Sequence, residues 1–433
     1  MTIKKQVNSG IKWNTLSTII TVLIQIIQVS ILTRFLEKED FGLMAMVMFV
    51  LGFMTMFQDL GIGVAILHKQ NITKKQYSSL FWFNFIITFL LFILFIMLIP
   101  TIVYFFEDQR LSSLLYIMSF SLIISSFGRM YQTTAQKDFK FKYISLVNIS
   151  SSTLGFLLVI YLAYKDYGVY ALVYSSLFRV TIVNSIFFVY GIKQHGLMLY
   201  FSFIEIISFI KIGLYQLGSE LINYFSKELD ILIIGKFFGS EILGGYSLAK
   251  QLVFRPASFF SSIVNTIAVP VFAKIQSNLL LMQVEYMKYA KIFNTLNFLI
   301  YFLIIIFAKY IVLILYGEKF LYVTTLVQIL SIYAYLRVII NFNSSLIISL
   351  GRTDIGFKWT IISGIFLSST ILIGSQFNIS TLVIIMTMSM SLLFILYGKF
   401  IVCHLLKIPF KSYLYTTLPH LSLIIKYLKR GRK

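Results

Sequence analysis

Long apolar runs, broken by short polar and charged segments, follow one another along the whole chain. Each run is long enough for a membrane-spanning helix, which needs roughly 20 apolar residues. An outer-membrane strand would need only about ten residues with strict alternation, so the run length favours helices. The short connections predict that consecutive helices are antiparallel neighbours. The predicted helices cover residues 12–33, 41–66, 79–105, 111–134, 143–164, 168–190, 205–235, 242–270, 287–316, 321–349, 355–374 and 379–402.

Composition supports an all-α integral membrane protein with about 12 transmembrane helices. Of the 433 residues, 58% are hydrophobic and only 12% are charged. A soluble domain is about a quarter charged, which excludes an ordinary soluble protein. The single cysteine, Cys403, excludes an intramolecular disulfide and a cysteine-based metal cluster. The first apolar stretch is too long for a cleaved signal peptide.

The formal net charge of +21 is explained first by membrane topology. Of the 37 basic residues, 24 lie on the side of the N-terminus when the predicted helices alternate in direction, and 8 lie on the opposite side. Cytoplasmic loops carry such an excess, so both termini are predicted to be cytoplasmic. The excess remains 16 to 8 without the basic C-terminal tail. A nucleic-acid partner is therefore not needed to explain the charge.

Five basic residues remain inside the predicted spans, where a charge costs at least about 2.5–3.5 kcal/mol. Arg129 lies close enough to its helix end to reach the membrane surface, which would be a purely structural role. Arg179 and Lys250 fit a structural ion pair as well as a substrate role. Arg255 and Arg337 lie deepest in apolar sequence, which favours a position at a water-filled cavity.

Other polar residues in the spans recur at three- and four-residue steps, which places them on common helix faces. The acidic candidates are Glu220, Asp230 and Asp59; the first two could bind a cation or balance Lys227, and the third could pair locally. Pro256 lies inside the eighth predicted span and is the predicted hinge, because proline removes a helix hydrogen bond. The amide candidates are Gln25, Gln28, Gln216, Asn223 and Asn341.

No enzyme motif is visible in the connections between the helices. They are too short for a catalytic domain, and they contain no phosphate-binding glycine loop, no nucleophile elbow and no paired-histidine motif. An enzyme would therefore have to perform its chemistry with residues inside the bilayer.

Several short blocks resemble the polysaccharide-unit flippases (O-antigen or teichuronic type) of the multidrug/oligosaccharidyl-lipid/polysaccharide exporter superfamily. Singly each block is weak, but they occur in order over nearly the whole chain. The blocks are LEKEDFG (36–42), DLGIGVA (59–65), FWFN (81–84), DFKF (138–141), GVYAL (168–172), LDILIIG (229–235) and LGGYSLA (243–249).

This resemblance implies two six-helix lobes, residues 1–200 and 201–402, around a central cavity that opens alternately to each side. The basic residues after the twelfth span predict a cytoplasmic tail, 403–433. It implies an undecaprenyl-pyrophosphate-linked oligosaccharide as cargo, moved across the bacterial inner membrane to the outer leaflet. The implied partners are this anionic glycan lipid, the bilayer and other polysaccharide-assembly proteins. It implies no organic cofactor; Na⁺ or H⁺ is the candidate coupling ion. Tyr170, where relatives often have tryptophan, and the absence of a thirteenth and fourteenth helix leave the subfamily open.

Arginine suits a pyrophosphate because its planar fork donates two hydrogen bonds, so Arg255, Arg337 and Arg129 are the leading anion ligands. The amide candidates could replace water around sugar hydroxyls. Two alternatives stay open. A cation-coupled multidrug exporter would be expected to have an acidic cavity, and a membrane-embedded glycan polymerase or ligase would need a larger outward loop.

Overall fold

The computed structural model describes residues 3–69, 71–264 and 268–420, and within them the chain forms helices and no β-strand. Side chains at 3–8, 59, 211–216, 219, 262 and 263 lie outside this description. A 3₁₀ segment, Glu318–Val323, precedes α11, and a π-helical segment, Gly398–Val402, joins α13 to α14. The α-helices are α1 (Ile3–Leu32), α2 (Lys38–Asp59), α3 (Ile62–His68), α4 (Lys74–Phe106), α5 (Arg110–Lys137), α6 (Phe141–Tyr164), α7 (Val169–His195), α8 (Phe203–Ile263), α9 (Val269–Lys274), α10 (Leu279–Tyr316), α11 (Thr324–Ser349), α12 (Thr353–Gly374), α13 (Ile379–Tyr397), α14 (Cys403–Leu406) and α15 (Phe410–Thr417).

Eleven helical stretches in the described part of the chain are long and apolar enough to cross a membrane. One of them, residues 220–261, has 42 residues, which would extend roughly 63 Å against a hydrocarbon core of about 30 Å. It therefore has the length of two spans. The prediction of an all-helical, multi-pass membrane protein with about twelve spans is confirmed.

One break in the helices differs from the sequence prediction, and a second lies where the sequence predicts a connection, between the spans 205–235 and 242–270. The predicted span 41–66 is interrupted, because Leu60 and Gly61 adopt left-handed backbone conformations with φ of 41° and 66°. Inside α8 the non-helical residue is Gly239, with φ 77° and ψ −179°, a conformation that glycine adopts readily. The helix continues through Pro256, whose role as a hinge stays a prediction.

The chain forms two compact units, the first comprising Met1–Gly244 with Leu315–Gly317 and the second comprising Gly245–Ile314 with Glu318–Lys433. In the first unit α5 packs against α2, α3, α4, α6 and α7, and α1 packs against α6. In the second unit α11 packs against α9, α12 and α13. The predicted lobe boundary at residue 200 and the tail 403–433 stay predictions.

A charged cluster in the first unit surrounds the Gly239 break. Arg110 lies at its centre: its Nη1 is 2.5 Å from Glu39 Oε2, and its Nη2 is 2.8 Å from Asp108 Oδ2. The same Nη2 donates a hydrogen bond of 3.0 Å to Ser240 Oγ, one residue after the break. The guanidinium thus joins the start of α2 and the α4–α5 loop to the second part of α8.

Two further ion pairs flank the same break. Lys236 Nζ, three residues before Gly239, lies 2.6 Å from Glu107 Oε1, and this contact lowers the pKa of Glu107. Lys38 Nζ lies 3.5 Å from Glu241 Oε1, two residues after the break. Both sides of the break are therefore held by charges from α2 and from the α4–α5 loop.

The second part of α8 approaches α2 closely enough for their backbones to touch. A Cβ added at Gly42 would lie 1.8 Å from the carbonyl oxygen of Ser240. A Cβ added at Gly244 would lie 1.8 Å from the carbonyl oxygen of Lys38. Small residues at such crossings allow helices in a membrane to pack tightly.

Gly42→Ala is expected to destabilise the protein by about 1–3 kcal/mol, because the added methyl group has no room beside Ser240. The measurement is the apparent Tm of the purified protein in detergent. Gly218→Ala is the matched control, since a Cβ there meets no atom within 4 Å. Equal loss of Tm in the two variants would contradict the close backbone contact.

Asp108→Asn is expected to lower the apparent Tm slightly at pH 7, by the equivalent of about 0.2–1 kcal/mol for a partly exposed ion pair. Burial raises the pKa of Asp108, but hydrogen bonds from Arg110 and Ser240 outweigh it and leave the pKa below its ordinary value of 3.8. A depressed carboxyl pKa stabilises the fold above pH 3.8 and loses that effect as the pH falls below it. The difference between native and variant Tm should therefore narrow below pH 3.8. The exposed Glu318→Gln serves as control; an Asp108→Asn difference that is constant with pH would contradict the ion pair.

Candidate functional site

The predicted site residues are distributed over both units. The side chains of Gln216 and Asp59 lie outside the described residues. The second unit contains Arg255, Arg337, Lys250, Asn341 and Pro256, and the first contains Arg129, Arg179, Gln25, Gln28, Asn223, Glu220 and Asp230.

In the second unit, one face of α11 lies against the second part of α8. The Cζ of Arg337 lies 5.3 Å from the centroid of the Phe254 ring, a cation–π contact. One turn further along α11, Asn341 Nδ2 donates a hydrogen bond of 2.6 Å to Ser261 Oγ. Phe254 and Ser261 are two turns apart on α8, so the two helices meet over that length.

Arg255 follows Phe254 directly and lies on the adjoining face of α8. Its Nη2 donates a hydrogen bond of 3.1 Å to Gln251 Oε1, and its carbonyl oxygen accepts one of 2.7 Å from Ser258 Oγ. Arg255 and Arg337 are both half-buried. The structure therefore brings the two leading anion-ligand candidates to one helix pair, each in contact with a polar or aromatic neighbour and each partly accessible.

Tyr301 of α10 completes this cationic group. Its side chain is 1% exposed, and its hydroxyl donates a hydrogen bond of 3.1 Å to the carbonyl oxygen of Val253. Lys250, half-buried, lies five residues before Arg255 on the same helix. We call Phe254, Arg255, Tyr301 and Arg337 the cationic cluster.

A different polar group lies in the first unit, around the fully buried Gln58 of α2. Its Nε2 donates hydrogen bonds of 2.9 Å to the Leu122 carbonyl and 2.8 Å to Ser125 Oγ, both on α5. Asn84 of α4 donates one of 2.8 Å to the Gln58 carbonyl. Asn84 Oδ1 is buried and has no hydrogen-bond partner within the described part of the chain. This amide cluster joins three helices through neutral groups.

Arg129 lies one turn after Ser125 on α5. Its Nη1 is 3.5 Å from the carbonyl oxygen of Thr55 on α2. The side chain is half-buried and reaches the neighbouring helix beside the amide cluster. Arg129 lies eight residues before the end of α5 at Lys137, and its guanidinium contacts α2. The side chain therefore does not extend only toward the membrane surface.

The remaining candidates of the first unit are scattered. Arg179 is exposed on α7. A Cβ added at Gly155 of α6 would lie 3.4 Å from the Cβ of Arg179. Gln25 and Gln28 are half-buried on α1, whose partner is α6. Among the described side chains, no hydrogen bond joins Arg179 to Gln25 or Gln28.

The acidic candidates lie on the first part of α8. Asp230 is only 6% exposed and accepts a hydrogen bond of 3.0 Å from the backbone N–H of Ile231. Glu220 is half-buried and Asn223 is exposed. No group of three or more His, Cys, Asp or Glu side chains that could hold a metal occurs among the described residues.

The sequence singled out the charged candidates but not the neutral residues that form their contacts or the amide cluster. Phe254 and Tyr301 belong to an abundant aromatic population to which no ligand role is assigned. Gln58 and Asn84 belong to or adjoin the resemblance blocks 59–65 and 81–84, which is the only signal that could have singled them out. Their pairing depends on helix contacts that periodicity does not report.

Comparison with known proteins agrees with this architecture. Residues 31–325 match the family described as polysaccharide biosynthesis protein. The teichuronic acid biosynthesis protein TuaB of Bacillus subtilis (strain 168) is 28% identical over 95% of this chain and 85% of its own length. The lipopolysaccharide biosynthesis protein WzxC of Escherichia coli (strain K12) is 23% identical over 87% of this chain and 76% of its own.

Solved structures show the same fold at low identity. The lipid II flippase MurJ in an inward closed conformation is 15% identical, with a TM-score of 0.73 over 96% of this chain and 91% of its own. An inward-facing multidrug resistance MATE family transporter of the MOP superfamily is 16% identical, with a TM-score of 0.64 over 92% of this chain and 99% of its own. The family match covers more than half of the chain, and the fold is that of these membrane proteins. The chain therefore belongs to the polysaccharide biosynthesis protein family.

Proposed function

We propose that the protein is a flippase that moves an undecaprenyl-pyrophosphate-linked oligosaccharide from the inner to the outer leaflet of the bacterial inner membrane. Family membership supports a polysaccharide precursor as cargo, and the fold likeness to MurJ supports a flippase architecture. The observation that carries the proposal is the cationic cluster, in which Arg255 and Arg337 occupy one helix pair inside predicted spans.

The chemistry of the cluster fits a pyrophosphate. A guanidinium that stacks on an aromatic ring keeps its in-plane N–H donors for a second partner, and two such donors match the oxygens of a phosphate. The Cζ atom of Arg337 lies over the Phe254 ring, 5.3 Å from its centroid. Half-burial weakens competition from water, so a charge-assisted hydrogen bond there is stronger than on an open surface.

Uncharged side chains would bind the sugars. Asn341, Gln25, Gln28, Gln216 and Asn223 are the candidates, because amides replace the hydrogen bonds that sugar hydroxyls make with water. The lipid tail would remain in the bilayer while the head group crosses. This transfer makes and breaks no covalent bond, so the proposed protein is a transporter and not a polymerase or ligase.

Alternating access would occur by rocking of the predicted lobes 1–200 and 201–402, with both termini in the cytoplasm. The basic excess of 24 to 8 supports that orientation. Gly239, at a backbone break, and Pro256 are the proposed points of bending.

Alanine at Arg255 or Arg337 is expected to weaken cargo binding about ten- to hundred-fold, because a hydrogen bond to a charged group contributes about 1.5–3 kcal/mol. The assay is flipping of a lipid-linked diphosphate oligosaccharide in reconstituted vesicles, read by access of a membrane-impermeant glycan-modifying reagent. Arg337→Lys keeps the positive charge but loses the planar pair of N–H donors, so its flipping rate should lie between those of the native protein and of Arg337→Ala.

Arg34→Ala, at an exposed arginine, is the matched control, and each variant must keep the native Tm. Normal flipping by both the Arg255→Ala and Arg337→Ala variants would refute the anion site. Export of a cationic dye without flipping of the glycan lipid would refute the cargo and indicate a multidrug exporter.

We further propose that Na⁺ or H⁺ drives transport through a carboxylate of α8 or α2, among Asp230, Glu220 and Asp59. Asp230 is the most shielded of those described, at 6% exposure. Asp230→Asn is expected to remove the response of flipping to an imposed Na⁺ or pH gradient while leaving cargo binding within about two-fold, since the change is nearly isosteric. Asp166→Asn, on an exposed loop, is the control. An unchanged gradient response would exclude Asp230 as the coupling group.

A further inference from the structure

Helix α15, which follows the last predicted span, packs against other helices of the second unit. Tyr413 of α15 is fully buried, and its hydroxyl accepts a hydrogen bond of 3.0 Å from Asn343 Nδ2. Asn343 Oδ1 in turn accepts one of 2.8 Å from Tyr286. A Cβ added at Gly398 would lie 2.1 Å from the Tyr413 ring, so the glycine makes room for this aromatic side chain.

The end of α15 is held by side chains from α10 and α11. Asn294 Nδ2 donates a hydrogen bond of 3.0 Å to the Thr416 carbonyl, and Tyr335 donates one of 3.0 Å to the Thr417 carbonyl. These carbonyls lie in the last turn, where a helix has no internal donors. These contacts and that of Tyr413 fix the rotation of α15 about its own axis. They therefore determine which side of the helix points away from the protein.

Exposed apolar and basic residues lie on α15 and at its two ends. Leu414, Tyr415 and Leu418 are 37%, 52% and 56% exposed. Lys411 is also exposed, and so is Lys407, three residues before the helix begins. We call these five residues the C-terminal face.

Tyr415 is oriented by contacts on both sides. Lys291 Nζ of α10 lies 4.7 Å from the centroid of its ring, and the His420 ring packs edge-on at 4.6 Å. The lysine adds a further positive charge beside the face. The sequence from 403 to 433 contains no Asp or Glu, so no carboxylate in this segment neutralises it.

The position along the chain places this face near the bilayer surface. The candidate span 379–406 ends at Leu406, and α15 begins at Phe410. Four residues reach at most roughly 14 Å, so α15 starts within that distance of the span's end. Interfacial helices combine exposed apolar and aromatic side chains with lysine in this way.

We infer that the C-terminal face binds an anionic lipid surface. Leu414, Tyr415 and Leu418 would enter the boundary between head groups and acyl chains, and Lys407 and Lys411 would meet the phosphates. A second copy of the chain fits less well, because a two-fold contact would place the lysines of one face against those of the other. The inference does not depend on the identity of the cargo.

The test uses the full chain in nanodiscs of phosphatidylcholine, with or without phosphatidylglycerol. Leu418→Cys, in a Cys403→Ser background, carries an environment-sensitive fluorophore. With phosphatidylglycerol the emission should shift to the blue. Lys407→Gln with Lys411→Gln should abolish the shift and lower phosphatidylglycerol enrichment by about five-fold per lysine. About 1 M salt, where the Debye length is about 3 Å, should reduce the shift in the native chain.

The matched charge control is Lys165→Gln with Lys309→Gln, two exposed lysines far from α15 in sequence, which should leave the shift intact. The same fluorophore at Gln376→Cys, in the exposed α12–α13 loop, should not respond to lipid charge. Retention of the native Tm shows that a variant is folded.

Equal emission at Leu418→Cys in both lipids, or a shift that survives the loss of Lys407 and Lys411, would overturn the inference. Disulfide-linked dimers of the unlabelled Leu418→Cys variant, together with no response of the labelled variant to lipid charge, would also overturn it and assign the face to a second copy of the chain.

Discussion

Within hydrocarbon, every backbone N–H and C=O group must find its partner inside the protein, and the rest of this structure follows from that constraint. It explains why the described chain is helical throughout its apolar runs. The helical ladder is interrupted at Gly239, between the predicted spans 205–235 and 242–270, and there Arg110, Asp108 and Ser240 form a hydrogen-bonded group.

The same constraint governs polar side chains and helix contacts. Lipid tails are as apolar as leucine, so burial alone does not drive helices together; close backbone approach and hydrogen bonds must do so. Gly42 and Gly244 allow the close backbone approach at the α2–α8 crossing. Gln58 and Asn84 form interhelical hydrogen bonds in the first unit, and Asn343 forms them in the second unit.

The polar groups of the two units differ in charge and in burial. In the first unit the amide cluster is neutral, and its central Gln58 is fully buried, which suits a structural joint. In the second unit Arg255 and Arg337 keep partial exposure although they interrupt apolar sequence. Tight neutral networks stabilise, whereas partly hydrated cations remain able to bind an anion. This difference is the physical basis for placing the proposed pyrophosphate contact in the second unit.

Apolar run length determined the helical membrane class, because spanning needs a minimum length whatever the helices later contact. Charge inside apolar sequence likewise singled out Arg255 and Arg337 as candidate ligands, since the free-energy cost of a charge within a span depends on the local sequence. Tertiary structure alone decided that Arg337 contacts Phe254, that Gln58 joins three helices, and that α15 packs through Tyr413. These depend on which helices become neighbours, and one-dimensional periodicity reports the buried face of a helix but not the residue that covers it.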